Sequence, residues 1–258
     1  MNKSIINKVR ETSPLIHHLT NQVVMNFTAN GLLSFGGIPV MAKSEEEASD
    51  MATLADGVLL NIGTITKQEI PAMIKAGKAA NEKGIPVVVD PVGVAATPFR
   101  TAVMKKILSE VHPTIIKGNA GELAHLVEIP WKTKGVESVG DGDTDEIALK
   151  VAEVYQTAVL LTGKTDVICT SNGLAYNETG HSLLAKVTGA GCLLGSIAAA
   201  CLTTDDPVDQ QLLAATAFYG SAAEHAADRA DVSGPGTFVP HFIDALSLDS
   251  TNLSGVSK

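Results

Sequence analysis

Aromatic residues are scarce in this chain: they make up 4% of its 258 residues, whereas hydrophobic residues as a whole make up 45%. A core with so few rings must be filled mainly by Ala, Val, Leu and Ile, which is typical of helices packed on a buried sheet. The length fits one large α/β domain or two small ones. Because the sequence contains no low-complexity linker and no internal repeat, we predict a single domain over residues 1–258.

Positive charge and long apolar runs are also in short supply. Lys and Arg number 19 against 28 Asp and Glu, which gives a formal net charge of −9 at pH 7. Nucleic acids and anionic membranes both favour clustered basic side chains, so neither is an expected partner. The most apolar stretch of the second half, 193–202, is about half as long as a membrane crossing requires. We interpret it as a buried helix.

Cysteine is limited to Cys169, Cys192 and Cys201, without CxxC or Cys/His spacing. Such a set indicates neither a disulfide framework nor a structural zinc site. The first ten residues alternate charged and apolar side chains and lack the continuous apolar segment of a signal peptide. We therefore expect a cytoplasmic protein.

Short β-branched runs alternate with helical patterns along the first part of the chain. Their apolarity is continuous rather than alternating, which predicts strands buried on both faces of a mostly parallel sheet. The runs are 57–61, 85–90, 114–117 and 157–163. Two predicted helical faces consist of Ile70, Met73, Ile74 and Gly77, and of Ile147, Val151, Val154 and Tyr155.

The pattern changes after residue 165. Asn172-Gly173 predicts a two-residue hairpin turn between antiparallel strands within 166–176. After Lys186 the chain is predicted to be helical, with one helix from about Ala190, a second over 206–229 and a short final one. We expect 135–144 to be a mobile loop and the last ten residues to fray.

Three predicted strands end in polar residues. Asp90 ends one, Lys117 ends the next and begins Lys117-Gly-Asn-Ala-Gly-Glu122, and Thr162 closes the third. Ligands of doubly wound sheets bind beyond the carboxyl ends of the strands. Mg²⁺ prefers oxygen ligands, so Asp90 and Glu122 are the candidate metal residues. The alternative is that Asp90 merely begins a turn and Glu122 offsets a helix dipole.

A glycine-rich segment, Gly189-Ala-Gly191, precedes an Ala-rich predicted helix. Small residues let the backbone approach a ligand, and the first N–H groups of a helix attract anions. We predict an anion hole from the amides of Ala190, Gly191 and Cys192. The segment is not a P-loop, and its glycine spacing misses the dinucleotide fingerprint by one residue. Tight helix packing is the alternative explanation of the glycines.

Cys192 lies in the first turn of this predicted helix. The helix dipole there is expected to lower its thiol pKa below the usual ~8.5, so that a thiolate could accept a proton from a hydroxyl group. Cys169 and Cys201 are interpreted as small buried apolar residues. A second hypothesis makes Cys192 the nucleophile of a transferase or hydrolase with a base such as His225, although His225 is better explained as a structural histidine.

Seven short segments, in order over about 220 residues, carry a resemblance to a known family. They are Thr20-Asn-Gln-Val-Val-Met-Asn26, Pro39-Val-Met-Ala42, Asp90-Pro-Val-Gly93, Lys117-Gly-Asn-Ala-Gly-Glu122, Thr162-Gly163, Val187-Thr-Gly-Ala-Gly-Cys192 and Gly234-Pro-Gly-Thr-Phe238. The sixth resembles the Thr-Gly-x-Gly-Cys motif of hydroxyethylthiazole kinases, in the ribokinase-like superfamily. Each segment alone is a weak signal, whereas their order makes coincidence improbable.

The resemblance implies a three-layer α/β/α sandwich, ribokinase-like, without the lid of the larger sugar kinases. It implies an enzyme of thiamine biosynthesis or salvage that uses Mg²⁺ and ATP to phosphorylate the primary alcohol of 4-methyl-5-(2-hydroxyethyl)thiazole. Members of the family are usually homotrimers with active sites between subunits. Lys117 and Thr162 would then contact ATP. Asp90 and Glu122 would lie near Mg²⁺. Met41 would line the thiazole pocket and Gly189 would contact the alcohol.

The chain departs from the expected pattern at two positions. The family often has Arg where this chain has Lys117, and Lys cannot bind two phosphate oxygens in a fork. Ribokinase-like kinases place Asp where this chain and the thiazole kinases have Cys192, the expected catalytic proton acceptor.

A third hypothesis is a regulator that binds ATP without transferring phosphate. The resemblance also implies that the segment 21–26 faces the thiazole pocket, but His17, His18 and Asn21 are explained equally well as satisfied surface or helix-entry residues and are left outside the predicted site.

Overall fold

The computed structural model describes residues 3–131, 133–134, 137–138 and 143–253. The strands are β1 (Leu15–Leu19), β2 (Ile38–Val40), β3 (Gly57–Asn61), β4 (Val87–Asp90), β5 (Ile115–Asn119), β6 (Thr133–Lys134), β7 (Glu137–Ser138), β8 (Ala158–Thr162), β9 (Asp166–Thr170) and β10 (Gly173–Asn177). The α-helices are α1 (Lys3–Thr12), α2 (Met25–Phe35), α3 (Ala48–Leu54), α4 (Ile70–Lys83), α5 (Pro98–Glu110), α6 (Ala120–Leu126), α7 (Thr144–Tyr155), α8 (Ala190–Cys201), α9 (Val208–Ala227), α10 (Pro235–Leu246) and α11 (Ser250–Leu253).

Most of the described strands form one sheet in the order β10-β9-β8-β5-β4-β3-β1-β2. The strands from β2 to β8 in this order are parallel to one another. Only β9 runs against both of its neighbours. The short strands β6 and β7 pair separately. The predicted mostly parallel sheet is therefore confirmed.

Helices cover both faces of this sheet. Alternate strand residues such as Leu59 and Val88 enter a core with α1, α2 and α8 to α11. Their neighbours Val58 and Val89 enter a second core with α3 to α7. Because both faces of each central strand are covered, its sequence is continuously apolar. The predicted α/β/α sandwich is confirmed.

The predicted hairpin forms, but its turn lies one residue earlier than expected. Gly173 pairs with Thr170, so the connecting residues are Ser171 and Asn172. Gly173 is the first residue of β10 and has a φ of 110°, which favours glycine. The Asn-Gly signal thus located the hairpin correctly and misplaced its loop.

The helix predictions need smaller corrections. The start of α8 at Ala190 is confirmed, and the helix expected over 206–229 is α9, shorter at both ends. The expected short final helix is two helices, α10 and α11. In α7 the buried face includes Ala148 and is rotated away from Val154, which is 50% exposed. Most of the expected mobile loop 135–144, and residues 254–258 of the tail, lie outside the described residues.

None of the helices in the described part of the chain has the length and apolarity needed to cross a membrane.

Candidate active site

The candidate site lies where β3, β4 and β5 end. Asn61 and Asp90 are register neighbours at the ends of β3 and β4. Lys117 extends from β5, and its Nζ donates a hydrogen bond to Asp90 Oδ2 at 3.3 Å. The Asp90 side chain is 0% exposed and that of Lys117 is 5% exposed. A buried ion pair therefore occupies the edge of the sheet at which ligands of this architecture bind.

The start of α8 reaches the same place because of its glycines. Gly189, the N-cap residue, has a φ of 92°, and a Cβ there would lie 2.5 Å from Val24 Cγ1. Gly191 is exposed, and a Cβ added to it would lie 3.4 Å from Lys117 Nζ. The predicted anion hole, the amides of Ala190, Gly191 and Cys192, thus begins a twelve-residue helix beside a buried cation.

Burial and the neighbouring charges have opposing effects on the pKa values of Asp90 and Lys117. Burial raises the pKa of Asp90, while Lys117 and the hydrogen bond from Asn61 oppose that rise. Burial alone would lower the pKa of Lys117, but nearby negative charges, Asp90 first, raise it above its ordinary value. Taken alone, the raised pKa of Asp90 favours a neutral carboxyl and that of Lys117 a charged amine. Because Asp90 Oδ2 accepts hydrogen bonds from both Lys117 and Asn61, we assign an ionised pair.

Glu122 lies in the first turn of α6, near enough to Asp90 and Lys117 for their charges to shift its pKa. Its two carboxylate oxygens accept hydrogen bonds from the backbone N–H groups of Gly93 at 2.9 Å and Asn119 at 3.0 Å. Burial, and then the nearby charge of Asp90, raise the pKa of Glu122 to about 7. Asn119 and Glu122 also form a capping box, so the helix-dipole alternative describes part of the role of Glu122.

The arrangement fits a divalent cation with few protein ligands. Among the residues that the structure describes, no group of three or more His, Cys, Asp or Glu forms a metal-binding cluster. Asp90 Oδ1 is buried, however, and accepts no hydrogen bond from the described residues. Such an orphaned carboxylate oxygen costs free energy unless a ligand satisfies it. Mg²⁺ suits this donor set because it keeps waters and takes substrate phosphates as its other ligands.

The expected lowering of the Cys192 pKa is wrong for the ligand-free protein. Burial, followed by the charge of Asp90, raises the pKa of this thiol above its ordinary value. Lys117 and hydrogen bonds from Asn61 and Asn21 oppose the rise without cancelling it. The helix start alone suggested a thiolate, but the sequence did not reveal how deeply the sulfur is buried next to a carboxylate.

The site contains two asparagines outside the prediction: Asn61 was missed, and Asn21 was considered and left out. The side chain of Asn61 donates to Asp90 Oδ2 at 3.0 Å and to Cys192 Sγ at 3.3 Å. That of Asn21 donates to Asn61 Oδ1 at 3.0 Å and to Cys192 Sγ at 3.5 Å. A signal was present for Asn61, since it ends a buried strand as Asp90 does. Asn21 lies two residues after the end of β1, and its signal was the resemblance of the segment 20–26.

His17 and His18 are neither surface nor helix-entry residues. Both are fully buried in β1. His17 Nε2 lies 2.7 Å from the carbonyl oxygen of Ala42, next to Met41. Burial lowers the pKa of His17 and lowers that of His18 to about 4, so both are neutral near pH 7.

The remaining predicted residues lie along the same edge, on either side of the cluster. Thr162 ends β8 and is the register partner of Asn119 in β5. Met41 directly follows the edge strand β2, two strands beyond β3 in the sheet order. Both are partly buried. The structure thus joins Asp90, Lys117 and Glu122 to the start of α8 and leaves Thr162 and Met41 as flanking groups.

The geometry gives little support to a covalent role for Cys192 with His225 as its base. Within the described part of the chain, the sulfur accepts hydrogen bonds from Asn21 and Asn61. His225 lies in the last turn of α9 and lines a cavity with Arg229 and His241. A raised thiol pKa also disfavours the thiolate that such a mechanism needs.

Comparison with solved structures first defines the class of fold. A ribokinase-like superfamily protein from Enterococcus faecalis V583 superimposes with a TM-score of 0.66 at 11% identity, over 95% of this chain and 94% of that one. At this identity the likeness shows the fold alone, and that fold is ribokinase-like.

The chain belongs to the hydroxyethylthiazole kinase family, whose model matches residues 6–251. It is similar to hydroxyethylthiazole kinase 1 of Oceanobacillus iheyensis, with 59% identity over 96% of each chain. It is also similar to a hydroxyethylthiazole kinase protein from Pyrococcus horikoshii OT3, with a TM-score of 0.87 and 36% identity over 99% of this chain and 96% of that one. The predicted family of kinases is confirmed.

Proposed function

We propose that this chain transfers the γ-phosphate of ATP to the primary alcohol of 4-methyl-5-(2-hydroxyethyl)thiazole, as part of thiamine biosynthesis or salvage. The names of its relatives support the choice of substrate. The observation that carries the reaction type is the meeting of the glycine-rich start of α8 with the Asp90–Lys117 pair at one edge of the sheet. Phosphoryl transfer depends mainly on positioning and on such electrostatic stabilisation.

In this proposal the amides of Ala190, Gly191 and Cys192 and the ammonium group of Lys117 balance charge on the transferred phosphoryl group. The alcohol oxygen forms a bond to the γ-phosphorus in line as the bond to the bridging β,γ-oxygen breaks, and ADP leaves. Asp90, through its unpartnered Oδ1, and Glu122 would hold Mg²⁺, which offsets charge on the phosphates when bound. Thr162 would contact ATP, Gly189 the alcohol, and Met41 the thiazole ring.

Cys192 is the proposed acceptor of the alcohol proton, late in the transfer. Its sulfur lies in the first turn of α8 and is contacted by two side-chain amides. Because burial raises the pKa of this thiol, only a small fraction is thiolate near neutral pH. A weak proton acceptor predicts slow turnover, which a loose, largely dissociative transition state tolerates.

We also propose a cytoplasmic homotrimer with sites between subunits. Supporting observations are the exposed apolar side chains of Val23 just before α2, Leu33 in α2 and Ile38 at the start of the edge strand β2. A subunit contact over these residues would bury apolar surface that the single chain leaves in water. Light scattering after size exclusion should give about three times the chain mass of 26.8 kDa. A monomer at working concentrations would contradict the assembly.

The experiment that tests the function is an assay of ADP release with Mg²⁺ and ATP across thiazole, pyrimidine and pyridoxal alcohols. We expect the hydroxyethylthiazole to give the highest kcat/KM. ATP binding without ADP release for any alcohol would favour a binding protein. Turnover without ATP would favour a cysteine-dependent enzyme instead.

A further inference from the structure

The side chain of Asn61 makes four hydrogen bonds within the candidate site. It lies at the end of β3 beside Asp90 and is 1% exposed. Its Oδ1 accepts hydrogen bonds from Gly63 N at 2.9 Å and from Asn21 Nδ2 at 3.0 Å. Its Nδ2 donates to Asp90 Oδ2 at 3.0 Å and to Cys192 Sγ at 3.3 Å. Every hydrogen-bonding atom of this amide is therefore used.

The orientation of the amide follows from these partners. The backbone nitrogen of Gly63 can only donate, so the side-chain atom of Asn61 that faces it must be the oxygen. The nitrogen then faces Asp90 and Cys192, and each of its two hydrogens has one acceptor. A flipped amide would place an acceptor against the Asp90 carboxylate.

Asn21 supports this orientation from the end of β1. Its amide nitrogen also lies between Asn61 Oδ1 and Cys192 Sγ. It packs directly over Gly63, where an added Cβ would lie 2.8 Å from both the Cβ and Nδ2 of Asn21. The glycine thus leaves the space that the second asparagine occupies.

One consequence concerns the two oxygens of Asp90. Oδ2 accepts from Asn61 and from Lys117, whereas Oδ1 is buried and accepts no hydrogen bond from the described residues. Asn61 and Lys117 therefore decide which oxygen is held by the protein and which one is left for a ligand. A second consequence is that Asn61 ties the Cys192 sulfur to the same carboxylate.

We propose that Asn61 is a positioning residue that fixes the ligand-facing oxygen of Asp90 and the sulfur of Cys192 relative to each other. The inference rests on the proposed function for its effect on turnover. Residues that orient a metal-side carboxylate contribute about 10- to 100-fold to metal affinity or activity. Loss of the two donated hydrogen bonds should therefore lower kcat more than it raises KM for ATP or for the alcohol.

The test compares Asn61→Asp with wild type. The aspartate has the same shape and can still accept from Gly63 and Asn21, but in its ionised form it donates to neither Asp90 nor Cys192 and repels the Asp90 carboxylate. We expect kcat to fall about 30-fold with KM values within about threefold. A second readout needs no alcohol and uses Asn61→Ala, which adds no charge near the cation: binding of Mn²⁺ in the presence of ADP, followed by electron paramagnetic resonance, should weaken about tenfold. Both readouts within about threefold of wild type would overturn the proposal.

Two further variants keep the test decisive. Asn61→Ala removes the same donors without adding a charge, and it decides the outcome if Asn61→Asp does not fold. The control is Asn81→Ala, since Asn81 exchanges two hydrogen bonds with the His112 backbone and lies at the end of α4. It should retain wild-type kcat, and an equal loss there would also overturn the proposal. If the wild type phosphorylates no alcohol, the proposed function fails and Mn²⁺ binding alone decides the role of Asn61.

Discussion

Two buried polar clusters lie where α8 packs against the sheet, one helical turn apart along the helix. The closed cluster consists of His18, Ser196 and the carbonyl of Ile16. The open cluster consists of Asn61, Asp90, Lys117 and Cys192. Cys192 and Ser196 are four residues apart and so lie on one face of the helix.

The clusters differ in how fully their polar atoms are satisfied. His18 Nδ1 lies 2.8 Å from the Ile16 oxygen, and His18 Nε2 lies 2.6 Å from Ser196 Oγ. A carbonyl only accepts, so Nδ1 carries the proton and Ser196 donates to Nε2. In the open cluster Asp90 Oδ1 accepts no hydrogen bond from the described residues, and charged groups are buried around it.

The closed cluster is fully hydrogen-bonded and stabilises the fold, whereas the open cluster contains a buried carboxylate oxygen that a ligand can satisfy. A satisfied buried network adds specificity to the core. An unsatisfied carboxylate beside a buried cation destabilises the ligand-free protein and becomes favourable once a cation and phosphates complete it. Changes in the open cluster should therefore affect turnover most, and changes in the closed cluster should affect stability alone.

Lys117→Met should have the largest effect. It removes the cation of the open cluster and leaves Asp90 buried without its partner, which costs about 3–5 kcal/mol of unfolding free energy. It also removes charge from the proposed phosphate site, so kcat/KM should fall about 1,000-fold. Urea denaturation and steady-state kinetics measure the two effects. The control Lys78→Met breaks the exposed pair with Glu110 and should cost less than about 1 kcal/mol. Similar small losses in both variants would contradict the assignment.

Gly191→Val comes next. A Cβ at this position would meet only the flexible end of Lys117, at 3.4 Å, so the variant should fold with nearly wild-type stability. The added side chain would block a phosphate from the amides of α8, and we expect kcat/KM to fall at least about 100-fold. By contrast, Gly189→Ala should destabilise the protein by about 1–3 kcal/mol because of its positive φ and the clash with Val24. Wild-type kinetics in Gly191→Val would remove the anion hole from the site.

His18→Gln probes the closed cluster through pH. The folded pKa of His18, about 4, lies below its unfolded value of about 6.5. Its stabilising contribution is therefore fully present above pH 6.5 and is lost as the pH falls towards 4. Between pH 7 and pH 5 the wild type should lose about 2 kcal/mol more unfolding free energy than His18→Gln. Denaturation series at the two pH values measure this difference, with His181→Gln as an exposed control. Parallel losses in wild type and variant would show that the histidine is not held neutral.

Cys192→Asp should have the smallest effect on turnover. The amides of Asn21 and Asn61 that now contact the sulfur can donate equally to a carboxylate. We expect kcat to remain within about tenfold of wild type or to increase, whereas Cys192→Ala should be slower than either. A Cys192→Asp variant that folds, binds both substrates and loses nearly all turnover would rule out Cys192 as the proton acceptor.

Asp90 and Lys117 of the open cluster were predictable from the sequence because each lies at the end of a predicted strand. Asp90 and Lys117 end continuous apolar runs, and such runs predict parallel strands whose ends meet. The glycines at the start of α8 indicated a close approach of the backbone to a ligand, and the structure places Gly191 beside Lys117. The α/β/α layering followed from the same apolar runs.

The rest depended on contacts between distant segments. The Cys192 pKa reverses direction because burial and Asp90 outweigh the helix dipole, and no local pattern reports burial. Asn61 ends a predicted strand as Asp90 does, but an uncharged amide does not by itself indicate a metal or phosphate site. The bond between His18 and Ser196 joins residues 178 positions apart. The observed hairpin loop differs from the predicted one because the pairing register of β9 and β10, rather than the Asn-Gly pair, determines which residues form it.

The most direct test of the account uses ATP with an ¹⁸O-labelled γ-phosphoryl group, Mg²⁺ and hydroxyethylthiazole, with the products identified by mass spectrometry. The account predicts a thiazole phosphate that carries the labelled phosphoryl oxygens, and a rate at least about 100-fold lower for Asp90→Asn than for His18→Gln. Absence of labelled thiazole phosphate from the wild type, or equal rates in the two variants, would contradict it.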